Sequence, residues 1–188
     1  MLQKKELANE HESFDHMIMR SGQHLLLPAN PLFIWASLVA ALLLNMLPLG
    51  RVPWMPDFMA LVLVFWNVHQ PLRVGIGVAF MFGLGMDVHQ SSLLGQHALS
   101  YTALSFFATM IHRRLLWFSV PSQALQVLPL FAVAHAVELV IRLISGGAFP
   151  GWIILFAPLL ESVLWPVVSI LLLVPQRRAP NPDENRPL

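Results

Sequence analysis

From about residue 30 to residue 176 the chain consists of six apolar runs, punctuated by prolines and a handful of charges. Lys4, Lys5, Glu6, Glu10, Glu12, Asp15 and Arg20 precede the first run, and Arg177, Arg178, Asp183, Glu184 and Arg186 follow the last. Only 11% of the 188 residues are charged while 56% are hydrophobic, too little polar surface to cover a water-soluble core of this size. Bilayer rather than water is the solvent such a chain requires. The reading is an all-α integral membrane protein of about six short transmembrane helices, with almost no soluble domain.

The punctuation divides the chain into a polar N-terminal segment over 1–29, a membrane domain over 30–175 and a disordered Pro-rich tail over 176–188. Helices are expected over about 32–49, 54–70, 72–89, 93–112, 121–145 and 152–175. A helix rises about 1.5 Å per residue and has about 30 Å of hydrocarbon to cross. The second run (Phe58 to Val68) and the third (Val74 to Met86) are short for that, so their flanks must contribute or the bilayer must thin. A re-entrant hairpin is the alternative for these two, and it would leave Arg73 facing outward.

Orientation follows from Lys and Arg in the short loops. With both termini in the cytoplasm, the inner segments hold Lys4, Lys5, Arg20, Arg73, Arg113, Arg114, Arg177, Arg178 and Arg186. The outer side has Arg51, with Arg142 near a helix end. Trp54, Trp117 and Trp152 fall near the interfaces, where aromatic belts lie. The first helix reads as an uncleaved anchor, because the segment before it is long and mixed in charge and no small-residue cleavage site follows a short apolar core. The lack of cysteine excludes a disulfide framework and thiolate metal sites. A net charge of +1 without a basic stripe argues against nucleic-acid binding.

Ionisable groups inside a membrane are costly, so they come first as functional candidates. In this topology Asp57 begins the second helix and Asp87 ends the third, both on the outer side. Glu138 and Arg142 occupy the outer half of the fifth, and Glu161 lies a third to halfway into the sixth from outside. Together with His135 they are expected to form a polar cluster opening outward, a candidate site for a partner or a ligand. Glu138 and Arg142 are four residues apart with the acid first, so they can pair on one face. Such a pair either neutralises itself so that the helix can pack inward, or joins Glu161 in a site. His135-x-x-Glu138 has metal-ligand spacing, but one copy without a second ligand set assigns no metal.

Gly75, Ala79 and Gly83 recur every four residues, widened by Gly77 and Gly85, and mark a small-residue seam on the third helix. The seam serves internal packing or the docking of a partner's helix. The pairs His69-Gln70, His89-Gln90 and Gln96-His97 flank helix ends and read as interfacial hydrogen-bonding residues. There is no Gly-rich phosphate loop after a strand, no metalloprotease helix motif and no nucleophile elbow. Ser91, Ser92 and His97 lie close in sequence, an arrangement too common to carry an enzyme assignment. No catalytic residue and no cofactor are assigned.

Three stretches carry a resemblance when read in order: Pro56-Asp57-Phe58 through Phe65-Trp66, Gly83-Leu84-Gly85-Met86-Asp87, and Leu93-Leu94-Gly95-Gln96-His97-Ala98-Leu99-Ser100-Tyr101. With the Pro28-Ala29-Asn30-Pro31 lead-in and the helix pattern, nearly the whole membrane portion resembles the rod shape-determining protein MreD family. The polar N-terminal extension and the Pro-rich tail lie outside that pattern. The resemblance implies a non-enzymatic scaffold of the bacterial cell-elongation complex in the inner membrane, supporting rod shape and lateral-wall peptidoglycan synthesis. The partners it implies are MreC first, then RodA and its class B penicillin-binding transpeptidase, with an indirect link to MreB filaments, all within membrane lipid. It also implies an architecture similar to the substrate-binding subunits of energy-coupling-factor transporters. A substrate-binding membrane subunit of a small-molecule transporter is therefore the alternative function.

Overall fold

The structure, a computed structural model, describes residues 30–47 and 55–176. The expectations for residues 1–29, the tail after 176, Arg51 and Trp54 lie outside the described residues. Six α-helices form within the unit Ala29–Pro175: α1 (Pro31–Met46), α2 (Phe58–His69), α3 (Ile76–Gln90), α4 (Gln96–Leu116), α5 (Val120–Ile144) and α6 (Phe156–Leu173). A 3-10 turn, Trp152–Leu155, leads into α6.

Local sequence explains several of the starts. Asn30 caps α1 by accepting from Leu32 N at 3.0 Å, and Pro31 fits the first helical turn, whose N–H groups have no helical partner. Asp57 caps α2 by accepting from Ala60 N at 3.0 Å. Prolines punctuate but do not always terminate: Pro129 lies inside α5 and Pro166 inside α6. The second and third helices each begin four residues later than the flanks suggested, and the last α-helix begins at Phe156, after the 3-10 turn Trp152–Leu155.

Contacts run α1 to α2, α2 to α4 and α6, and then α3 to α4, α4 to α5 and α5 to α6, which puts α2 at the centre. Every residue from Met59 to Val68 is buried. This accounts for an apolar helix of 12 residues, whose length of about 18 Å falls well short of a bilayer. Enclosed by its neighbours, α2 has no need to match the hydrocarbon thickness by itself. Side-chain hydrogen bonds tie the layers together. Trp66 Nε1 donates to Ser37 Oγ (2.8 Å), Asn67 Nδ2 to Ser105 Oγ (3.0 Å), Ser100 Oγ to the Ala134 carbonyl (3.0 Å) and Trp165 Nε1 to Gln123 Oε1 (3.2 Å). Hydroxyl and amide groups used in this way hold helices together where apolar surroundings offer no alternative partner.

The outside has the opposite character. Large apolar side chains stand exposed along the outer faces, among them Leu125, Val163 and Leu171, and Leu72 is 99% exposed. A water-soluble monomer rarely presents apolar surface this extensive. Two helical stretches, Val120–Ile144 and Trp152–Gln176, are long and apolar enough to cross a membrane; Pro31–Met46 and Phe58–His69 are apolar but shorter. Among the described residues the six expected helices are present, and two of them meet the length and hydropathy of a span. The others fall short because α1, α2 and α3 have 16, 12 and 15 residues, while α4 carries a polar inner stripe that lowers its hydropathy.

Candidate functional site

Side chains from five helices are linked through one network around a buried carboxylate. Glu161, near the start of α6, is completely buried, and its Oε1 accepts from the Asp57 backbone N–H (2.9 Å) and from His135 Nε2 (2.9 Å). Asp57 extends the network in two further directions. Its Oδ1 accepts from Asn45 Nδ2 of α1 (2.6 Å), and its Oδ2 accepts from the Tyr101 hydroxyl of α4 (2.5 Å). Asn45 completes a loop, because its Oδ1 accepts from Phe58 N at 3.0 Å. One N-capping aspartate therefore satisfies the start of α2 and also fixes the end of α1, the flank of α4 and, through its own N–H, the acid of α6. Charge-assisted bonds in a low-dielectric interior are stronger than neutral ones, and a chain of them specifies one arrangement.

A second cluster adjoins the first. Asp87, at the last turn of α3, accepts from Ser92 Oγ (3.0 Å), Gly95 N (2.8 Å), His97 N (2.7 Å) and Ala98 N (3.3 Å), and its Oδ1 lies 2.8 Å from His97 Nδ1. One carboxylate so caps the start of α4, where no side chain of the capping residue Gly95 is available. The ring of His97 meets that of Tyr101 edge-on at 6.1 Å, which links the two clusters.

Helix α3 can lie this close to α4 because of Gly83. A Cβ there would fall 2.4 Å from Ala98 Cα and 2.7 Å from Ala98 N, so only hydrogen fits. Ala79, one turn earlier, is also fully buried. The seam expected from Gly75, Ala79 and Gly83 is internal at the last two. Gly75 precedes the helix as its N-cap, and a methyl group placed on Gly75, Gly77 or Gly85 would meet nothing within 4 Å.

Of the six residues singled out from sequence, Asp57, His135 and Glu161 share direct bonds, and Glu138 approaches the same histidine, its Oε2 being 3.8 Å from His135 Nδ1. Asp87 belongs to the adjoining cluster. Arg142 does not join: among the described residues it makes no ion pair with Glu138. The local pairing allowed by the four-residue spacing is replaced by an approach of Glu138 to His135 three residues back. His97 is corrected from an interfacial residue to a buried one, because Asp87 draws its Nδ1 inward. Sequence reasoning does not find Asn45 or Tyr101. The available signals were slight: Tyr101 is the chain's single tyrosine, and Asn45 is the amide in an otherwise apolar run.

A cavity of about 600 Å³ opens beside these clusters, lined by residues that include Asn45, Asp57, His97, His135, Glu138 and Arg142. Glu161 and Asp87 lie behind this wall rather than on it. The fold and the site together define a helical protein of membrane type, apolar outside, with a bonded polar network within in which Glu161 Oε2, Ser162 Oγ and Ser169 Oγ are buried without a hydrogen-bond partner.

A family model described as rod shape-determining protein MreD matches residues 28–174. The chain is also similar to the rod shape-determining protein MreD of Haemophilus influenzae, 30% identical over 129 residues that cover 66% of this chain and 77% of that protein. The chain belongs to the MreD family, and with that membership comes a role in determining rod shape. No solved structure matches it.

Proposed function

We propose that the chain is a non-enzymatic scaffold of the bacterial cell-elongation complex, held in the inner membrane by several passes with both termini cytoplasmic. It supports lateral-wall peptidoglycan synthesis by binding partners, MreC first, then RodA and its class B penicillin-binding transpeptidase, with MreB filaments linked through them. The polar segment 1–29 and the tail 176–188 belong to the cytoplasmic side, and 30–175 is the membrane domain.

The observation that carries this reading is how the buried acids are used. Asp57, Asp87 and Glu161 spend their oxygens mainly on helix ends and neighbouring helices, binding α1, α2, α4, α5 and α6 into one frame. Groups bonded in this way hold a surface rigid, and of the three acids only Glu161 keeps a buried oxygen, Oε2, without a hydrogen-bond partner. The charge distribution supports the orientation: Asp57, Asp87, Glu138 and Glu161 sit toward one end of the alternating helices, while Arg73, Arg113 and Arg114 sit at the other. The family match lends the transporter alternative no support.

Depletion of the protein tests the proposal directly. Cells should lose rod shape and become round as wall insertion along the sidewall falls, and the protein purified in detergent should retain MreC. Depleted cells that keep their rod shape and sidewall insertion would overturn the reading.

A further inference from the structure

Two charged side chains on the cavity wall, Glu138 and Arg142, make no hydrogen bond among the described residues, and Glu138 has only a long ion-pair approach to His135. The Glu138 side chain is only 15% exposed, yet its carboxylate has no hydrogen-bond donor among the described residues beyond the His135 Nδ1 approach at 3.8 Å. A carboxylate withdrawn this far from solvent normally finds donors, because burying it unbonded is costly. Arg142 lies one helical turn further on the same face and remains exposed. Its position is set by the turn that ends α5. Gly147 N donates to the Arg142 carbonyl at 2.9 Å, and a Cβ on Gly147 would lie 2.7 Å from Arg142 Cγ. The stem of the arginine thus lies against the turn, and no ion pair joins it to Glu138 among the described residues.

An anionic and a cationic group thus stand apart, roughly 5–6 Å between Cβ atoms for this spacing. They face a cavity of about 600 Å³ whose other walls include Met86, Leu139 and Ile154. That volume lies within the range of small-ligand sites, about 300–1,000 Å³. We propose that this cavity binds a phosphoethanolamine head group, its ammonium against Glu138 and its phosphate against Arg142. A primary ammonium offers three N–H donors to the under-bonded carboxylate, and guanidinium matches phosphate with paired N–H groups. The apolar wall suits the glycerol and first acyl carbons of a lipid, although a soluble phosphoethanolamine ester presents the same head group. The site does not depend on the scaffold reading.

The test uses the purified full chain in detergent, with thermal unfolding and native mass spectrometry as readouts. Dioleoyl phosphatidylethanolamine should raise the unfolding temperature, as any ligand of the folded state must, and should remain bound one to one. Phosphatidylcholine, which has no ammonium N–H, and phosphatidylglycerol, which has no cation, should bind at least tenfold more weakly. Arg142→Gln should weaken phosphatidylethanolamine binding at least tenfold, and Glu138→Gln should abolish its preference over phosphatidylcholine. Arg142 is exposed, so its variant folds even if Glu138→Gln does not, and Leu139→Trp provides an independent block by filling the cavity. Competition by soluble glycerophosphoethanolamine would assign the site to the head group alone; binding of the diacyl lipid without such competition would assign it to the lipid. Equal binding of the three lipids, or an Arg142→Gln variant that binds like the unaltered protein, overturns the proposal.

Discussion

Gly83→Ala should loosen the whole outer end of the bundle. The added methyl carbon would stand 2.4 Å from Ala98 Cα, 2.7 Å from Ala98 N and 2.8 Å from the His97 carbonyl carbon, all of them backbone atoms that cannot rotate away. An ordinary carbon contact is about 3.5 Å or more, so α3 and α4 must separate by roughly 1 Å. Asp87 lies one turn beyond Gly83, and its bonds to His97 N (2.7 Å) and Gly95 N (2.8 Å) would stretch past hydrogen-bonding distance under such a shift. Overpacking alone costs about 1–3 kcal/mol, and weakened bonds to a buried carboxylate add to it. Against this stands the gain in helix propensity, about 1 kcal/mol for glycine to alanine. The net loss should be about 2 kcal/mol or more, which for a chain of this length lowers Tm by about 4–8 °C. Tryptophan fluorescence during thermal unfolding in detergent reads this directly. Gly85→Ala is the matched control, because a methyl group there meets nothing within 4 Å. Its Tm should be unchanged or slightly raised. Equal Tm values for the two variants would refute the close approach of α3 and α4.

The polar network gives the remaining predictions. Tyr101→Phe removes the hydroxyl donor from Asp57 Oδ2 and should cost about 1.5–3 kcal/mol, seen as a lower Tm without loss of helical circular dichroism. Glu161→Ala strips the acceptor from both Asp57 N and His135 Nε2 and should cost about 3–5 kcal/mol, whereas Glu161→Gln keeps an acceptor oxygen and should lose clearly less. The same stability assay checks this order, and a reversed order would refute the roles assigned to Oε1. Asp87→Ala uncaps α4 and leaves its donors unpaired; faster amide exchange at Gly95, His97 and Ala98 should accompany the lost stability.

The helices themselves were legible because their causes are local. Apolar runs separated by Pro and polar residues gave six elements in the right order, and Asn30 and Asp57 signal their caps by residue type alone. Gly83 and Ala79 announced a close approach through their spacing. The lengths of α2 and α3 were less legible. Periodicity cannot tell a helix that meets lipid from one that meets other helices on every side, and α2 is of the second kind.

The acids of the membrane portion could be named from sequence, since an ionisable group there always demands a partner. Which partner it takes is a matter of three-dimensional distance. Glu138 has an arginine four residues away, yet it leans toward His135, while the stem of Arg142 lies against the Gly147 turn. Asp57 and Glu161 are separated by 104 residues and meet only because α2 lies between α1, α4 and α6. Sequence alone thus determined the apolar character, the six helices of the described residues and the residues whose charge had to be satisfied, because each of these follows from composition and near neighbours. The bonds that satisfy those charges, and the cavity they leave open, were decided by the packing of helices whose contacts no local pattern encodes.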